Sequence, residues 1–121
     1  MSMHIDIHKI IETDYTNIFD TLKEIMYSRV WDKLSSFIEK SNYIVRAYEN
    51  PEIEIVSKRS LYDFFDSEKI IISILWVENK FYANIFSVKD SKMDYSAYYN
   101  NREDCEHAAF IIASRMLNIT T

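Results

Sequence analysis

The stretch that decides the fold is residues 70–88, IIISILWVENKFYANIFSV. Two apolar segments, 70–77 and 81–88, flank the polar residues Glu78, Asn79 and Lys80, and this pattern predicts a β-hairpin. Because the chain contains no glycine, we expect Asn79 to supply the positive φ of the turn. Apolar residues lie at both odd and even positions of segment 70–77, so this strand is predicted to be central and covered on both faces.

Shorter strands are predicted on both sides of the hairpin. Residues 43–48 and 53–58 flank a polar turn that contains Pro51, the only proline of the chain, at a place where a turn favours a fixed φ. A short helix is predicted over residues 60–66. Residues 93–99 alternate between two sets of side chains and predict a last strand.

Helical periodicity marks the two outer parts of the chain. Over residues 14–40 the apolar side chains recur in steps of three and four, which predicts one long helix, or two helices with a break near Ser28. Further along, the spacing of Asn100 and Glu103 fits a capping box. The helix that follows carries small residues such as Ala109 on its apolar face, so we expect it to lie close against the sheet.

These elements predict an α+β fold. We expect an antiparallel sheet of about four to five strands, because the connections have hairpin length. A long N-terminal helix, or two, and a C-terminal helix are expected to pack on that sheet. The length of 121 residues suits a single α+β domain over residues 1–121.

The absence of glycine bears on function. Phosphate-binding loops and nucleophile elbows need positive φ, or close approach of the backbone to a ligand, and glycine supplies both. The P-loop, the Rossmann fingerprint and the G-x-S-x-G elbow are therefore excluded. This favours a protein without catalytic residues and without a cofactor.

The composition indicates a cytoplasmic protein. The longest apolar stretch, residues 70–77, is too short to span a bilayer, and the first residues lack the pattern of a signal peptide. The single cysteine, Cys105, cannot form an internal disulfide, which agrees with a reducing compartment. Isoleucine is far commoner than leucine, a bias that indicates an A+T-rich bacterial or phage genome.

The charge of the chain favours protein partners. Nucleic-acid binding needs clustered lysine and arginine, whereas the net charge here is −5; we expect neither a nucleic-acid nor a membrane partner. Within residues 49–68, six acidic residues accompany only Lys58 and Arg59, which gives a net charge of −4. Such a segment accelerates association with a basic surface. The predicted steering residues are Glu52, Glu54, Asp63, Asp66 and Glu68.

Tyrosines form the second candidate surface. Tyr95, Tyr98 and Tyr99 lie among serines and asparagines, a composition typical of recognition surfaces, because tyrosine offers a large rigid contact area with a polar tip. Since side chains alternate along a strand, Tyr98 is predicted to face the side opposite to Tyr95 and Tyr99. Tyrosines that only close the edge of the sheet remain the alternative.

Two other groups of residues have simpler explanations. His4, Asp6 and His8 could hold a metal on one side of a strand, but solvated positions near a terminus explain them better, and no metal is predicted. Cys105 and His107 could suggest a thiol nucleophile. Neighbouring helix positions point in different directions, however, and nearby acids raise a thiol pKa, so Cys105 is predicted to be a core residue.

The function predicted from these observations is protein binding. We expect a non-catalytic acidic inhibitor of the immunity or anti-defence type, monomeric or homodimeric, that neutralises a toxin or host enzyme. In size and charge the chain resembles small bacterial immunity proteins. In element order and low pI it is similar to small type III secretion chaperones, so a dimer that binds an extended client is the alternative. A small metal-dependent enzyme built on His4, Asp6 and His8 is the third hypothesis.

Overall fold

A computed structural model describes residues 16–40, 44–46, 54–56 and 59–120 of the chain. Within these ranges it has four helices and five strands, and the predicted α+β class is confirmed. None of these helices is both long and apolar enough to cross a membrane. In chain order the elements are α1 (Thr16–Ile25), α2 (Ser28–Glu39), β1 (Ile44–Arg46), β2 (Glu54–Val56), α3 (Arg59–Ser67), β3 (Ile70–Val77), β4 (Lys80–Ser87), β5 (Lys92–Tyr95) and α4 (Arg102–Thr120).

The chain divides into two compact units, Met1–Phe64 and Phe65–Thr121. In the first unit the apolar stripe of residues 14–40 forms two helices, a choice that the sequence left open. The chain is extended at Tyr27 (φ −61°, ψ 148°), and this residue ends the continuity between α1 and α2. The buried apolar residues of the two helices are Ile18, Phe19, Leu22, Val30, Leu34 and Ile38.

The predicted sheet of about four to five strands is wrong. The five described strands divide between two antiparallel sheets, β1-β2 and β3-β4-β5. A short connection makes consecutive strands neighbours, as in β1-β2 and β3-β4. The helix α3 lies in the connection between β2 and β3, and such a connection does not require the two strands to join one sheet.

The order of the three-stranded sheet corrects a second prediction. Its central strand is β4, and β3 lies at one side of it, although the apolar run of β3 predicted a central strand covered on both faces. Within β3, Ile70 is buried, whereas Ile71 and Val77 are exposed. A mostly apolar run therefore marks here a strand with one accessible face.

The hairpin β3-β4 closes with a two-residue turn. Its central residues Glu78 and Asn79 have φ values of 52° and 63°, as a type I′ turn requires, and the prediction for Asn79 is confirmed. Lys69 and Ser91 also have positive φ. The chain thus places three side chains other than asparagine in backbone conformations that glycine would adopt at lower free energy.

The C-terminal helix α4 packs on β3 and β4, as expected. It buries small residues at helical spacing, among them Cys105, Ala109 and Ala113, which allow a close approach to the sheet. Phe110 is also fully buried, and its ring stacks on that of Phe65 at a centroid distance of 6.3 Å.

The cap of α4 lies one residue later than predicted. The side-chain oxygen of Asn101 accepts the backbone N–H of Asp104 at 2.8 Å, and its amide donates to the Asp104 carboxylate at 2.9 Å. Asn101, not Asn100, is therefore the N-cap, and Asp104 takes the third helical position that was assigned to Glu103.

Candidate functional site

The three-stranded sheet has two different faces. Ile72 lies opposite Ile85 and Ile74 opposite Ala83, and this face is the one covered by α4. The intervening residues point to the other side, because side chains alternate along strands. Each of them is exposed or half-buried, and we call this side the open face. It comprises Ile71, Ser73, Leu75, Val77, Lys80, Tyr82, Asn84, Phe86, Met93, Tyr95 and Tyr98.

The open face is apolar and aromatic. Within the described strands its only charged side chain is Lys80, which lies next to the turn. Tyr95 is 56% exposed and Tyr98 is 60% exposed, and Ile71, Val77 and Met93 add further exposed apolar area. A group of exposed apolar and aromatic side chains of this kind is a candidate site of interaction.

Three tyrosine rings meet on the open face. The Tyr82 ring, on the central strand, lies 6.4 Å from the Tyr95 ring and 5.3 Å from the Tyr98 ring. The hydroxyl of Tyr95 donates to the sulfur of Met93 at 2.9 Å. The half-buried Tyr82 thus supports two exposed rings, which limits their freedom before any partner binds.

A shift in strand register brings Tyr95 and Tyr98 to the same side. The N–H of Ser96 donates to the carbonyl of Ala83, whereas Tyr99 exchanges both backbone hydrogen bonds with Phe81. Asn84 pairs with Tyr95 and Phe81 pairs with Tyr99, so the three residues 96–98 face only the two residues 82–83. This is the pattern of a β-bulge. The prediction that Tyr98 faces away from Tyr95 is wrong, because strict alternation holds only in a regular strand.

The hydroxyl of Ser96 stabilises this bulge. It accepts the backbone N–H of Ala83 at 2.7 Å and donates to the carbonyl of Ala97 at 2.7 Å. A side-chain oxygen thereby replaces a carbonyl in the ladder at the point where the register changes.

Tyr99 does not belong to the tyrosine cluster. It is half-buried and forms an isolated bridge with Phe81. The ring of Phe81 in turn packs on Trp76 at 4.6 Å, and both residues lie in the register of the covered face. Of the three predicted anchors, the structure brings together Tyr95 and Tyr98 and places Tyr99 apart from them.

A polar group interrupts the open face at its centre. Asn84 lies on the central strand, with Ser73 opposite on one side and Tyr95 on the other. Its side-chain oxygen is buried and accepts no hydrogen bond within the described part of the chain. Leaving such an acceptor unsatisfied costs about 1–3 kcal/mol.

Four of the five predicted acidic residues lie within the described ranges. Asp63 forms an ion pair with Arg59, with 3.2 Å between carboxylate oxygen and guanidinium nitrogen. Asp66 is exposed and Glu68 is half-buried. Glu54 lies in β2, and Glu52 lies outside the described residues.

The acids of the second unit lie far from the tyrosine cluster along the sheet. Glu68 precedes Ile70, which pairs with Ser87, whereas the cluster is centred on Tyr82. Five residues of strand separate Ser87 from Tyr82, a distance of about 17 Å. Within this unit, Glu68 therefore lies next to the end of the sheet that is remote from the tyrosine cluster.

Cys105 is a core residue, as predicted. The side chain is fully buried, and its sulfur lies 3.9 Å from the Ser96 hydroxyl. Burial raises the pKa of the thiol above 9.0, and the Ser96 hydrogen bond only partly offsets this effect. The reactive thiolate is therefore scarce at neutral pH.

Candidate metal ligands give no site in the described ranges. No group of three or more histidine, cysteine, aspartate or glutamate side chains there could hold a metal ion. His4, Asp6 and His8 lie outside those ranges.

Sequence reasoning missed most residues of the open face, among them Tyr82, Asn84 and Met93. A signal for the first two exists, because Tyr82, Asn84 and Phe86 alternate with the small or apolar Ala83 and Ile85. That alternation predicts one covered face and one accessible face. Nothing local to Met93 distinguishes it from a core methionine.

Comparison with known proteins gives no relative. No protein-family model matches the chain, and neither the curated proteins nor the solved structures contain a significant match.

Proposed function

We propose that the chain is a non-catalytic inhibitor that neutralises a toxin or host enzyme by direct binding, and that the open face is its binding surface. The observation that carries this proposal is the pair Tyr95 and Tyr98, each more than half exposed on a nearly uncharged apolar face. Aromatic residues dominate the binding energy of protein interfaces when a partner buries them.

The arrangement of the rings favours binding. Tyr95 is held by Tyr82 and by the sulfur of Met93, and Tyr98 is held by Tyr82. A side chain that is already ordered loses less conformational entropy when it binds, so more of its contact energy appears as affinity.

The acids have a smaller role than the tyrosines in this proposal. At physiological ionic strength the Debye length is about 8 Å, so a charge about 17 Å from the tyrosine cluster acts weakly on contacts there. Asp66 and Glu68 can still contribute to the overall field of a chain with net charge −5. That field favours a partner with a basic surface and accelerates the encounter at low salt.

The same open face supports the second candidate function. A secretion-chaperone-like dimer needs an accessible apolar surface for a second copy or for an extended client, and the open face offers one. Sedimentation of the purified chain separates the two hypotheses. The inhibitor proposal predicts a monomer, and a tight dimer would favour the chaperone-like alternative.

Photo-crosslinking in the native cell tests the proposal. A benzophenone amino acid placed at position 95 or 98 should crosslink one partner protein, whereas the same group at position 27 should not. Tyr27 is the matched control because it is a tyrosine with 55% exposure. The crosslinked partner should have a basic surface and an activity that the purified chain inhibits.

Two results would count against the proposal in different ways. Equal crosslinking from positions 95 and 27 would show that the open face is not the binding surface. A partner that crosslinks at position 95 but keeps its full activity in the complex would preserve the surface and refute inhibition.

A further inference from the structure

The two edges of the three-stranded sheet differ. β5, at one edge, has four residues and includes Lys92 and Asp94, and a short, charged strand is a common protection of a sheet edge. β3, at the other edge, has eight residues, IIISILWV, none of them charged and none a proline. Within the described part of the chain, no strand pairs with its outer side. The β3 edge therefore lacks the protection that the β5 edge has.

The register of the hairpin shows which backbone groups of β3 point outward. Val77 and Lys80 flank the two-residue turn, and this geometry makes them a hydrogen-bonded pair. At the other end of β3, the N–H of Val88 donates to the carbonyl of Lys69 at 2.9 Å. Hydrogen-bonded pairs alternate in an antiparallel ladder, so the odd-numbered residues of β3 bond to β4. The outward N–H and C=O groups belong to Ile70, Ile72, Ile74 and Trp76.

These outward groups form a row that extended backbone complements. None of them has a backbone partner among the residues that the structure describes. Ile72 and Ile74 are half-buried and Trp76 is 57% exposed, so most of the row lies along accessible residues. An α-helix uses its backbone groups internally, whereas an added strand offers donors and acceptors at the same spacing of two residues. The occupant that fits this edge is therefore a strand.

The side chains along the edge specify that strand further. Ile71 and Leu75 lie on the open face, and Ile74 and Trp76 lie on the side of α4. An added strand would place its own side chains beside both sets, because successive side chains point to opposite faces. A strand with apolar side chains on both faces buries more apolar surface here than one that alternates between apolar and polar residues.

We infer that the outer edge of β3 binds an extended, mostly apolar segment of the partner protein as an added strand. The inference rests on the proposed function, because the segment belongs to the partner bound at the open face, which this strand would extend. A second copy of the chain carries the same edge, but it would also bring a second net charge of −5, which opposes self-association. The partner proposed above has a basic surface and no such penalty.

Photo-crosslinking from two positions of the edge tests the inference in the native cell. A benzophenone amino acid at position 72 or 76 should crosslink the same partner as position 95, and both crosslinks should map to one segment of it. Four residues of strand span about 13 Å, so the two crosslinked sites should lie about four residues apart. A helix rises about 1.5 Å per residue and would place them about nine residues apart.

Deletion of one outward N–H gives a second, independent test. Ile74→Pro removes a donor that points away from β4, and an edge strand tolerates proline at such a place; Ile74→Ala keeps the donor and is the matched control. The affinity for the purified partner should fall at least about tenfold more in Ile74→Pro than in Ile74→Ala. The hydroxy-acid analogue of isoleucine at position 74 replaces the N–H by oxygen and keeps the side chain, so it repeats the comparison where Ile74→Pro does not fold.

The other outcomes each reject a different part of the account. Crosslinking from position 95 but not from 72 or 76 would overturn the added strand and leave the proposed function standing. Helical spacing of the crosslinked sites, or equal affinities of Ile74→Pro and Ile74→Ala, would overturn it as well. Crosslinks from positions 72 and 76 to the chain itself would place a second copy on the edge, against this inference. Absence of crosslinks from all three positions would refute both the inference and the proposed function.

Discussion

The ring of Tyr98 lies 5.3 Å from the ring of Tyr82, on the same side of the sheet as Tyr95. This contact depends on the bulge between Ser96 and Tyr99, which sends Tyr98 to the open face and Tyr99 to the other side. The bulge therefore determines how many aromatic rings the surface offers to a partner.

Removal of an exposed tyrosine should leave the fold intact. Tyr98→Ala deletes a ring that is mostly in water, so its free energy of unfolding in urea should change by less than about 1 kcal/mol. Phe110→Ala deletes a fully buried ring that stacks on Phe65 and should cost about 3–5 kcal/mol. Similar losses for both variants would show that Tyr98 belongs to the core.

Replacement of the unsatisfied amide should stabilise the protein. Asn84→Leu removes the buried oxygen that accepts no hydrogen bond from the described residues and keeps the number and branching of the side-chain heavy atoms, so the free energy of unfolding should rise by about 1 kcal/mol. Ser73→Val, on the neighbouring strand, is the control for added apolar surface and should change stability less. A loss of stability in Asn84→Leu would mean that the amide oxygen is hydrogen-bonded in solution.

The hairpin turn should be improved by the residue that the chain lacks. Glu78 has a φ of 52°, a conformation unfavourable for a side chain with a Cβ, so Glu78→Gly should stabilise the protein by about 1 kcal/mol. The same substitution in α4, Glu103→Gly, should destabilise it by a similar amount, because glycine weakens a helix. Urea denaturation measures the change in the free energy of unfolding for each variant. If Glu78→Gly destabilises the protein as Glu103→Gly does, the positive φ at Glu78 is contradicted.

The buried thiol should make stability depend on pH in the alkaline range. Burial raises the pKa of Cys105 above 9.0 in the folded protein, so the unfolded chain loses this proton first as the pH rises. The stabilisation that results from this raised pKa is present below pH 9.0 and declines above it. The wild type should therefore lose more stability above pH 9.0 than Cys105→Ala. If the free energy of unfolding falls with pH equally in the two proteins, the raised pKa of Cys105 is contradicted.

Local features of the fold could be predicted from the sequence. The hairpin around Asn79 and the helical spacing of Cys105, Ala109 and Ala113 are patterns within short segments, and the structure contains both. The division of the strands into two sheets depends on pairing between distant residues. An apolar run alone does not specify that pairing.

The candidate site was only partly predictable for the same reason. Tyr95 and Tyr98 stand out by composition, but their common side depends on one extra residue near Ala97 and on the hydroxyl of Ser96. Asn84 gains its significance from its position on the central strand. A pattern confined to one segment shows neither feature.

The affinity of the crosslinked partner for Tyr98→Asp, compared with the wild-type chain, tests the central claim most directly. Calorimetric titration should show a loss of about 2 kcal/mol or more, because the variant places an unpaired charge in a buried apolar contact. The control Tyr27→Asp should bind like the wild type. If Tyr98→Asp binds as tightly as Tyr27→Asp, the open face is not the binding surface and the proposal is wrong.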